Sequence, residues 1–405
     1  MRKQILTAAV LTGCGWTTTA LAVDVGSDTT VGGRVYFDVS HISLQNEDAS
    51  GVSRDVPPTG TGFDVKRFYL IVDHKFNDIW SANLTTDAQF STAATAQAAT
   101  PAGGTTTVLT NGNTSGGVSE VYIKKLYVQG KFDDALVLRI GSADLPWLPY
   151  LENLYGYRYV EKLPLDRFGL GTTTDWGLNV NGKGGVFDYS ASVVNGGGYK
   201  NPTRTKDVDF EGRVAVKPIA WLTLAAGIYS GHLGQINASN ESFPSNTATR
   251  FDFFAGVNFQ GLCLGAEYLN AKNFKTVNKL STSVYGTSAI VTAAGTVPVS
   301  DKTEGVSGWA SYSFAGQWSV FGRYDQVKLS KDVASSLKDT YFNVGMSYKP
   351  IKQLDFALVY KNEKVDNGSA SISGGNAGGS YTIGGADGLH SGKFDEIGLY
   401  AQWTF

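Results

Sequence analysis

From residue 23 onward, apolar and polar residues alternate with a period of two. Trp80, Ala82, Leu84, Thr86, Ala88 and Phe90 alternate with Ser81, Asn83, Thr85, Asp87 and Gln89. Val208, Phe210, Gly212, Val214 and Val216 interleave with Asp209, Glu211, Arg213 and Ala215, and Phe251, Phe253, Ala255, Val257 and Phe259 with Asp252, Phe254, Gly256 and Asn258. Alternation sustained over about ten residues puts one face of a strand in an apolar medium and the other in water. Strands of soluble sandwiches run nearer five or six residues. The pattern predicts sixteen strands, near residues 30–40, 63–76, 80–90, 118–131, 135–142, 172–183, 186–195, 206–217, 222–230, 249–260, 262–272, 304–314, 318–330, 338–349, 353–364 and 393–405.

The connections alternate between short and long. Short ones include Asn77-Asp78, Asp133-Asp134, Gly184-Gly185 and Gly316-Gln317; long ones fall near 41–62, 91–117, 143–171, 196–205, 231–248, 273–303, 331–337 and 365–392. An even count of long strands with short turns at one end and long loops at the other describes an all-β, 16-stranded antiparallel transmembrane barrel, its short turns periplasmic and its long loops extracellular. Closure lets every backbone N–H and C=O pair internally, as a lipid surrounding demands. Proline cannot donate to a ladder, and all eleven fall in the predicted connections.

Composition sharpens this picture. Of 405 residues only 17% are charged, while 49 are Gly and 49 are aromatic. A soluble protein carries about 25% charge and about 7% Gly. After residue 22 no stretch approaches the roughly 18 apolar residues of a membrane helix. Two cysteines exclude a disulfide scaffold and a Cys-rich metal site, and no cofactor motif stands out. Gly177–Lys183 approaches a phosphate loop, but Gly184 stands where Ser or Thr is required. The net charge of −2 gives no signal for nucleic acid.

The start of the chain reads as an export signal. Met1-Arg2-Lys3 precedes an apolar stretch, and Ala20-Leu21-Ala22 fits the small-residue cleavage rule, making 1–22 a signal peptide and 23–405 the barrel domain. Leu11-Thr12-Gly13-Cys14 offers the alternative of a lipoprotein box acylated at Cys14. At the other end Ile397, Leu399, Ala401, Trp403 and Phe405 form one face. A terminal aromatic on such a strand looks like the sorting signal read by the outer-membrane insertion machinery. Trp80, Phe90, Trp221, Tyr229, Phe259, Phe314 and Trp318 stand at predicted strand ends, where interfacial girdles are expected.

Sixteen strands enclose an aqueous channel rather than a packed core. By parity Arg34, Arg67, Lys183, Arg213, Arg250, Arg323 and Lys361 face inward. With them go Asp38, Asp87, Asp188, Asp209, Glu211, Asp252, Glu267, Asp325, Asp355 and Glu396. Arg34, Arg67, Arg213, Arg323 and Asp325 are the lumen-wall candidates. Mixed signs create a transverse field rather than a single-sign ring. Adjacent charges at Lys66-Arg67 and Lys124-Lys125 predict a bulge or a slip of register. The connection 143–171 differs from its Ala/Thr/Ser/Gly-rich counterparts: Trp147, Leu148, Leu151, Leu154, Leu163 and Leu165 need a surface to pack on. It is expected to fold into the barrel as a constriction, with Arg158, Glu161, Lys162, Asp166 and Arg167 as its pore residues; the alternative is an outward loop on a neighbouring subunit.

Phe63-Asp-Val-Lys-Arg-Phe-Tyr-Leu70, Leu138-Arg-Ile-Gly-Ser-Ala-Asp-Leu-Pro-Trp147, Glu161 to Gly169 and the closing strand resemble the trimeric porins of Gram-negative bacteria, specifically the phosphate-selective porin family of the O/P type. That resemblance implies an outer-membrane homotrimer with an inserted third loop. It also implies passive diffusion of small ions and hydrophilic solutes with an anion or phosphate preference, Lys66, Arg67, Arg139, Arg158 and Arg167 being the positions that would draw anions inward. The net acidic charge departs from phosphate-specific members. Two other classes compete: an adhesive or structural barrel, and a barrel hydrolase. The four histidines His41, His74, His232 and His390 show no shared motif of the kind a nucleophilic mechanism uses.

Overall fold

A computed structural model of the chain describes residues 23–24, 28–90, 95–99, 106–110, 119–202, 204–236, 245–277, 299–376, 379–385 and 388–405. The signal-peptide and lipoprotein-box readings fall on residues 1–22, outside the described residues. Sixteen strands form one closed antiparallel barrel: β1 (Thr29–Glu47), β2 (Gly60–Lys75), β3 (Trp80–Phe90), β4 (Ser119–Lys131), β5 (Val137–Asp144), β6 (Thr174–Gly184), β7 (Phe187–Val194) and β8 (Asp209–Ile219), then β9 (Leu222–Gly231), β10 (Ala248–Phe259), β11 (Leu262–Lys272), β12 (Lys302–Phe314), β13 (Trp318–Lys328), β14 (Lys338–Ile351), β15 (Leu354–Asp366) and β16 (Gly392–Thr404). Each strand pairs with its sequence neighbour, and β1 closes on β16 from Arg34↔Thr404 to Asn46↔Gly392. The segment Gly177–Lys183 is plain strand within β6.

Burial inverts the pattern of a soluble protein. Outward positions such as Phe63, Ile140, Leu178, Val214, Phe253, Val344 and Leu358 are exposed, while Asp38, Asp87, Glu211, Asp252, Asp325 and Lys361 are buried inside. An apolar exterior around a polar interior suits a surrounding of hydrocarbon. Trp80, Trp221, Phe259, Phe314 and Trp318 lie exposed on the outer wall near the short turns, as expected of a girdle. Tyr229 does not join them. It is buried inside the barrel, its hydroxyl bonded to the Asp209 carboxylate.

Both doubled charges mark bulges. The register of β1 on β2 shifts between Tyr36↔Arg67 and Phe37↔Val65, leaving Lys66 unpaired. That of β3 on β4 shifts between Thr85↔Lys125 and Thr86↔Ile123, leaving Lys124 unpaired. An extra residue in one strand lets two successive side chains turn to the same side. Lys66 reaches Asp38 at 3.0 Å, Arg67 reaches Asp87 at 3.1 Å, and Lys125 reaches Asp144 at 2.6 Å.

Three expectations need correction. Pro218 and Pro350 lie inside the ends of β8 and β14, not in turns. The ladder skips there, between Val216 and Ile219 and between Tyr348 and Ile351, so neither proline is asked for an N–H. The first strand runs to Glu47, well past residue 40. The connection 365–392, which its composition assigns to solvated loop, contains a paired hairpin of Ser369–Asn376 and Gly379–Gly384. Ala370, Ile372, Tyr381 and Ile383 of this hairpin are buried with Leu44 and Phe394, and the Tyr381 ring stacks on Phe394 at 4.9 Å.

Phe405, just past the last strand, is fitted against Gly33 of the first. Gly33 N–H donates to the Phe405 carbonyl at 2.9 Å and Phe405 N–H donates to the Gly33 carbonyl at 3.1 Å. The Phe405 ring occupies the space a Cβ on Gly33 would need, 2.2 Å from its Cζ. Gly33→Val should therefore lower barrel stability by about 1–3 kcal/mol, the range for overpacking. Gly62→Val, which meets nothing within 4 Å, should leave it unchanged. The heat-modifiable mobility shift of the folded barrel in SDS gels reads this difference directly.

Candidate functional site

The third long connection, residues 145–173, folds into the barrel. Leu148–Tyr155 forms a helix α1 with Pro149 in its first turn, and it stops at Gly156, whose φ of 78° ends the helix in the left-handed region. A single turn α2, Pro164–Arg167, follows. Trp147, Leu148, Leu151, Tyr155, Tyr159, Val160, Leu163, Leu165, Phe168 and Leu170 are all buried. An eight-residue helix is marginal by itself; this one is held by what it packs on. Tyr157 stacks on Phe321 at 3.9 Å, Tyr155 meets Trp309 edge-on at 5.5 Å, and the Trp147 indole fills the space above Gly227.

The irregular backbone of this loop is deep in the barrel, so its polar groups need partners there. The inward cations of the wall supply them. Arg213 Nε donates to the Pro146 carbonyl at 2.9 Å and Arg250 Nη1 to the Leu170 carbonyl at 2.8 Å. Lys361 and Lys66 both donate to the Val160 carbonyl, at 2.9 and 3.3 Å. Wall carboxylates hold the donors: Glu211 accepts from Trp147 N–H at 2.9 Å, Glu267 from its indole at 3.1 Å, and Asp355 from the Tyr159 hydroxyl at 3.0 Å. These cations are in turn neutralised, Arg250 by Asp252 at 2.6 Å and Glu211 at 3.2 Å, Arg323 by Asp325 at 3.0 Å, and Lys361 by Glu161 at 3.2 Å and Glu396 at 3.0 Å.

The five loop residues expected at the constriction divide into two groups. Glu161 and Arg167 are buried against the wall, Arg167 reaching Glu363 at 2.5 Å and lying 4.2 Å over the Tyr341 ring. Arg158, Lys162 and Asp166 line a cavity, although Lys162 is itself buried. Arg158 binds Glu152 at 2.5 Å and Asp166 at 3.1 Å; Lys162 binds Asp166 at 3.2 Å and the Ser373 hydroxyl of the last loop's hairpin at 3.1 Å. Of the lumen-wall candidates, Arg67 and Arg34 border the same space, whereas Arg213, Arg323 and Asp325 are buried beneath the loop. Arg139 lies on the inner wall, its Nε donating to Gln129 at 2.8 Å.

That space consists of two cavities, one of about 640 Å³ and one of about 420 Å³. Both are bordered by Lys124, Arg158 and Thr173, where they adjoin. Basic residues prevail along the pair: Arg34, Arg67, Lys124, Lys125, Arg158, Lys162 and Lys200 against Asp144, Glu152, Asp166 and Asp175. The charges of the loop respond to this setting. Burial, together with Arg67 and Arg158 and against the partial offset of Asp166, pushes the Lys162 ammonium down to about 8. Burial alone would raise the Glu161 carboxyl, yet Lys361, Arg167 and Lys66 hold it below the usual carboxylate range. Sequence parity found the inward cations but could not show which of them the loop covers. The Lys162–Ser373 contact was missed, because nothing in a Ser/Gly-rich connection signals where its hairpin will fold.

The histidines lie at separate points. His41 contacts Thr61, His74 contacts Thr29, and His232 meets Asp207 with Thr247 Oγ1 3.4 Å from its other ring nitrogen. Among the described residues no cluster of three or more His, Cys, Asp or Glu has metal-binding geometry.

Removing Lys361 would take a buried cation from between Glu161 and Glu396 and leave the Val160 carbonyl to Lys66 alone. Lys361→Met should cost about 3–5 kcal/mol, as expected for breaking a buried pair, measured by urea unfolding.

No protein-family model matches the chain, and no curated protein matches it in sequence. Solved structures do. An anion-selective porin from Comamonas acidovorans aligns with 16% identity over 93% of this chain and 99% of its own, with a TM-score of 0.57. The outer membrane channel DcaP of Acinetobacter baumannii aligns with 14% identity over 95% and 99%, TM-score 0.56. Outer-membrane expressed OmpT of Vibrio cholerae aligns with 12% identity over 95% and 100%, TM-score 0.55. At these identities the likeness is one of architecture, and what the chain shares with all three is the sixteen-stranded antiparallel barrel of the outer-membrane porin type.

Proposed function

We propose that the chain is an outer-membrane porin of a Gram-negative bacterium, a water-filled channel for passive diffusion of small hydrophilic solutes and ions that favours anions. The observation that carries this reading is the pair of adjoining cavities beside the inserted loop, bordered by seven basic and four acidic residues. In this reading Arg158, Lys162 and Lys124, which line the larger cavity, set the field a passing ion meets. The net charge of −2 does not oppose this, because many of the carboxylates sit under the loop, paired to wall cations, away from the passage. An anion-selective porin and an outer membrane channel share the fold, which supports the same reading. Inorganic phosphate is one candidate among such anions.

Removal of residues 1–22 on export, insertion guided by the Phe405 end, and assembly as a homotrimer belong to this reading. Trimerisation is supported by a barrel of the same fold, Vibrio cholerae OmpT, solved in a trimer form. Native mass spectrometry of the folded protein should return three times the mass of the mature chain.

In planar bilayers the protein should give stepwise conductance, and the reversal potential in asymmetric chloride should indicate anion preference. Each unit charge about 4 Å from a passing ion is worth about 1 kcal/mol in a water-like dielectric, or about fivefold in permeability ratio. Arg158→Glu and Lys162→Glu should each move the ratio towards cations by roughly the square of that factor. Membranes holding folded protein but carrying no current would refute the channel.

Lys162 also predicts a pH dependence. Its ammonium is charged below about 8 and neutral above it, so anion preference should fall as pH rises from 7 to 9. Lys162→Met should flatten that change.

A further inference from the structure

We infer that the outer wall at the long-loop end of β11–β16 binds a phosphorylated lipid of the outer leaflet. Six consecutive strands each place one lysine outward at this end: Lys272, Lys302, Lys328, Lys338, Lys364 and Lys393. The register sets them directly opposite one another in like-charged pairs, Lys272↔Lys302, Lys328↔Lys338 and Lys364↔Lys393. Like charges facing each other across a ladder are destabilising, so fold stability alone does not account for three such pairs in a row.

Acidic neighbours answer only part of this charge. Asp332 lies 4.0 Å from Lys302, Asp366 2.7 Å from Lys364, and Asp395 2.7 Å from Lys393. Glu304 opposes Lys328 in register but is taken by Lys331 of the following loop. Asp366 likewise opposes Lys338 while binding Lys364. Lys272, Lys328 and Lys338 hold no ion pair among the described residues. A ligand with more than one negative centre would relieve all three pairs together.

The height of the band identifies the kind of ligand. Each lysine stands four residues beyond an outward apolar or aromatic side chain: Tyr268, Val306, Tyr324, Phe342, Tyr360 and Ile397. Four strand residues span about 13 Å, or about 10 Å along the membrane normal once the strands tilt. The intervening outward positions are polar, among them Asn270, Gln326, Thr340 and Asn362. Lysines one headgroup layer above an aromatic girdle are placed to meet phosphates on a lipid whose chains lie alongside the wall.

The wall below offers a seat for such a chain. Ala255, Ala266 and Gly308 are cross-strand partners in one row over β10, β11 and β12. Phe253, Tyr268 and Val306 stand above them, and together they outline an apolar groove of about 850 Å³ on the outer face. The lysines of β11 and β12 lie directly over it along the same strands.

This inference rests on the outer-membrane reading but not on conduction, so a barrel that carries no current can still satisfy its test. Native mass spectrometry of the folded full-length protein in detergent would compare three probes: a bis-phosphorylated, multiply acylated glycolipid, its dephosphorylated form, and phosphatidylcholine. We expect the phosphorylated lipid to be retained at least about 10-fold better than the other two, given the gain each lysine makes near an anionic headgroup. Lys272→Gln/Lys328→Gln/Lys338→Gln should abolish that preference. Lys75→Gln/Lys131→Gln, at the short-turn end where both lysines are paired, should keep it. Ala266→Phe, filling the groove, should weaken retention of the phosphorylated lipid while the preference for phosphate persists. Equal retention of the dephosphorylated lipid, an unaffected triple variant, or displacement by millimolar inorganic phosphate alone would each overturn the inference. So would loss of subunit association in the triple variant, which would make this face a contact between copies.

Discussion

The organising constraint of this molecule is that a stretch of irregular backbone lies inside a barrel, where its carbonyls and amides must be satisfied by side chains. Arg213, Arg250, Lys361 and Lys66 meet the loop carbonyls, and Glu211, Glu267 and Asp355 meet its donors. Each of these contacts involves a charged group that has left water, and a buried charge is tolerated only when it is paired and hydrogen-bonded. The wall charges and the loop are therefore interdependent. Without the loop the wall cations would need other partners; without the cations the loop would carry unmatched polar groups. Apolar contacts such as Tyr157 on Phe321 add area, but the charged contacts fix where the loop can lie.

A second consequence concerns the electrostatics of the barrel interior. Satisfying the loop consumes carboxylates, and these accumulate on the side of the wall the loop covers, at Glu211, Asp252, Glu267, Asp325, Glu363 and Glu396. The two bulges turn both members of Lys66-Arg67 and of Lys124-Lys125 away from the outer face, Lys66 to the loop and Arg67, Lys124 and Lys125 to the open cavities. The overall balance of the chain, slightly acidic, is thus a poor guide to the field in the open cavities. What matters is which charges are spent on structure.

Much of this architecture could be read from residues alone, for a physical reason. A strand with one face in hydrocarbon and one in water must alternate, and every segment of alternation corresponds to a barrel strand. The doubled basic residues revealed the bulges because two adjacent charges cannot both obey that alternation. The apolar residues from Trp147 to Leu165 showed that their loop must be packed, since a solvated loop does not carry them. Other features were less legible. Tyr229 obeys the parity of the inner face, and only its position near a strand end suggested a girdle. Pro218 and Pro350 are tolerated within strands because the ladder has already skipped. The hairpin at Ser369–Gly384 left a faint signal, Ala370 and Ile372 opposite Tyr381 and Ile383, too short to distinguish from chance. The division of inward cations between clamp and passage depends on where the loop settles, and no local pattern encodes it.

The seam between β1 and β16 has a consequence for how the molecule comes into being. Partners along it, such as Arg34 and Thr404, are about 370 residues apart in the chain, so the contact that closes the barrel is also the one with the greatest loop-closure cost. Until that last strand arrives, the sheet has two open edges whose backbone groups have no partner, an arrangement a bilayer does not accommodate. Pairing of the last strand with the first is therefore the event that completes the fold. The Phe405 ring seated over Gly33 lies on this seam, so loss of the residues that carry it would leave an unsealed sheet rather than a slightly smaller barrel.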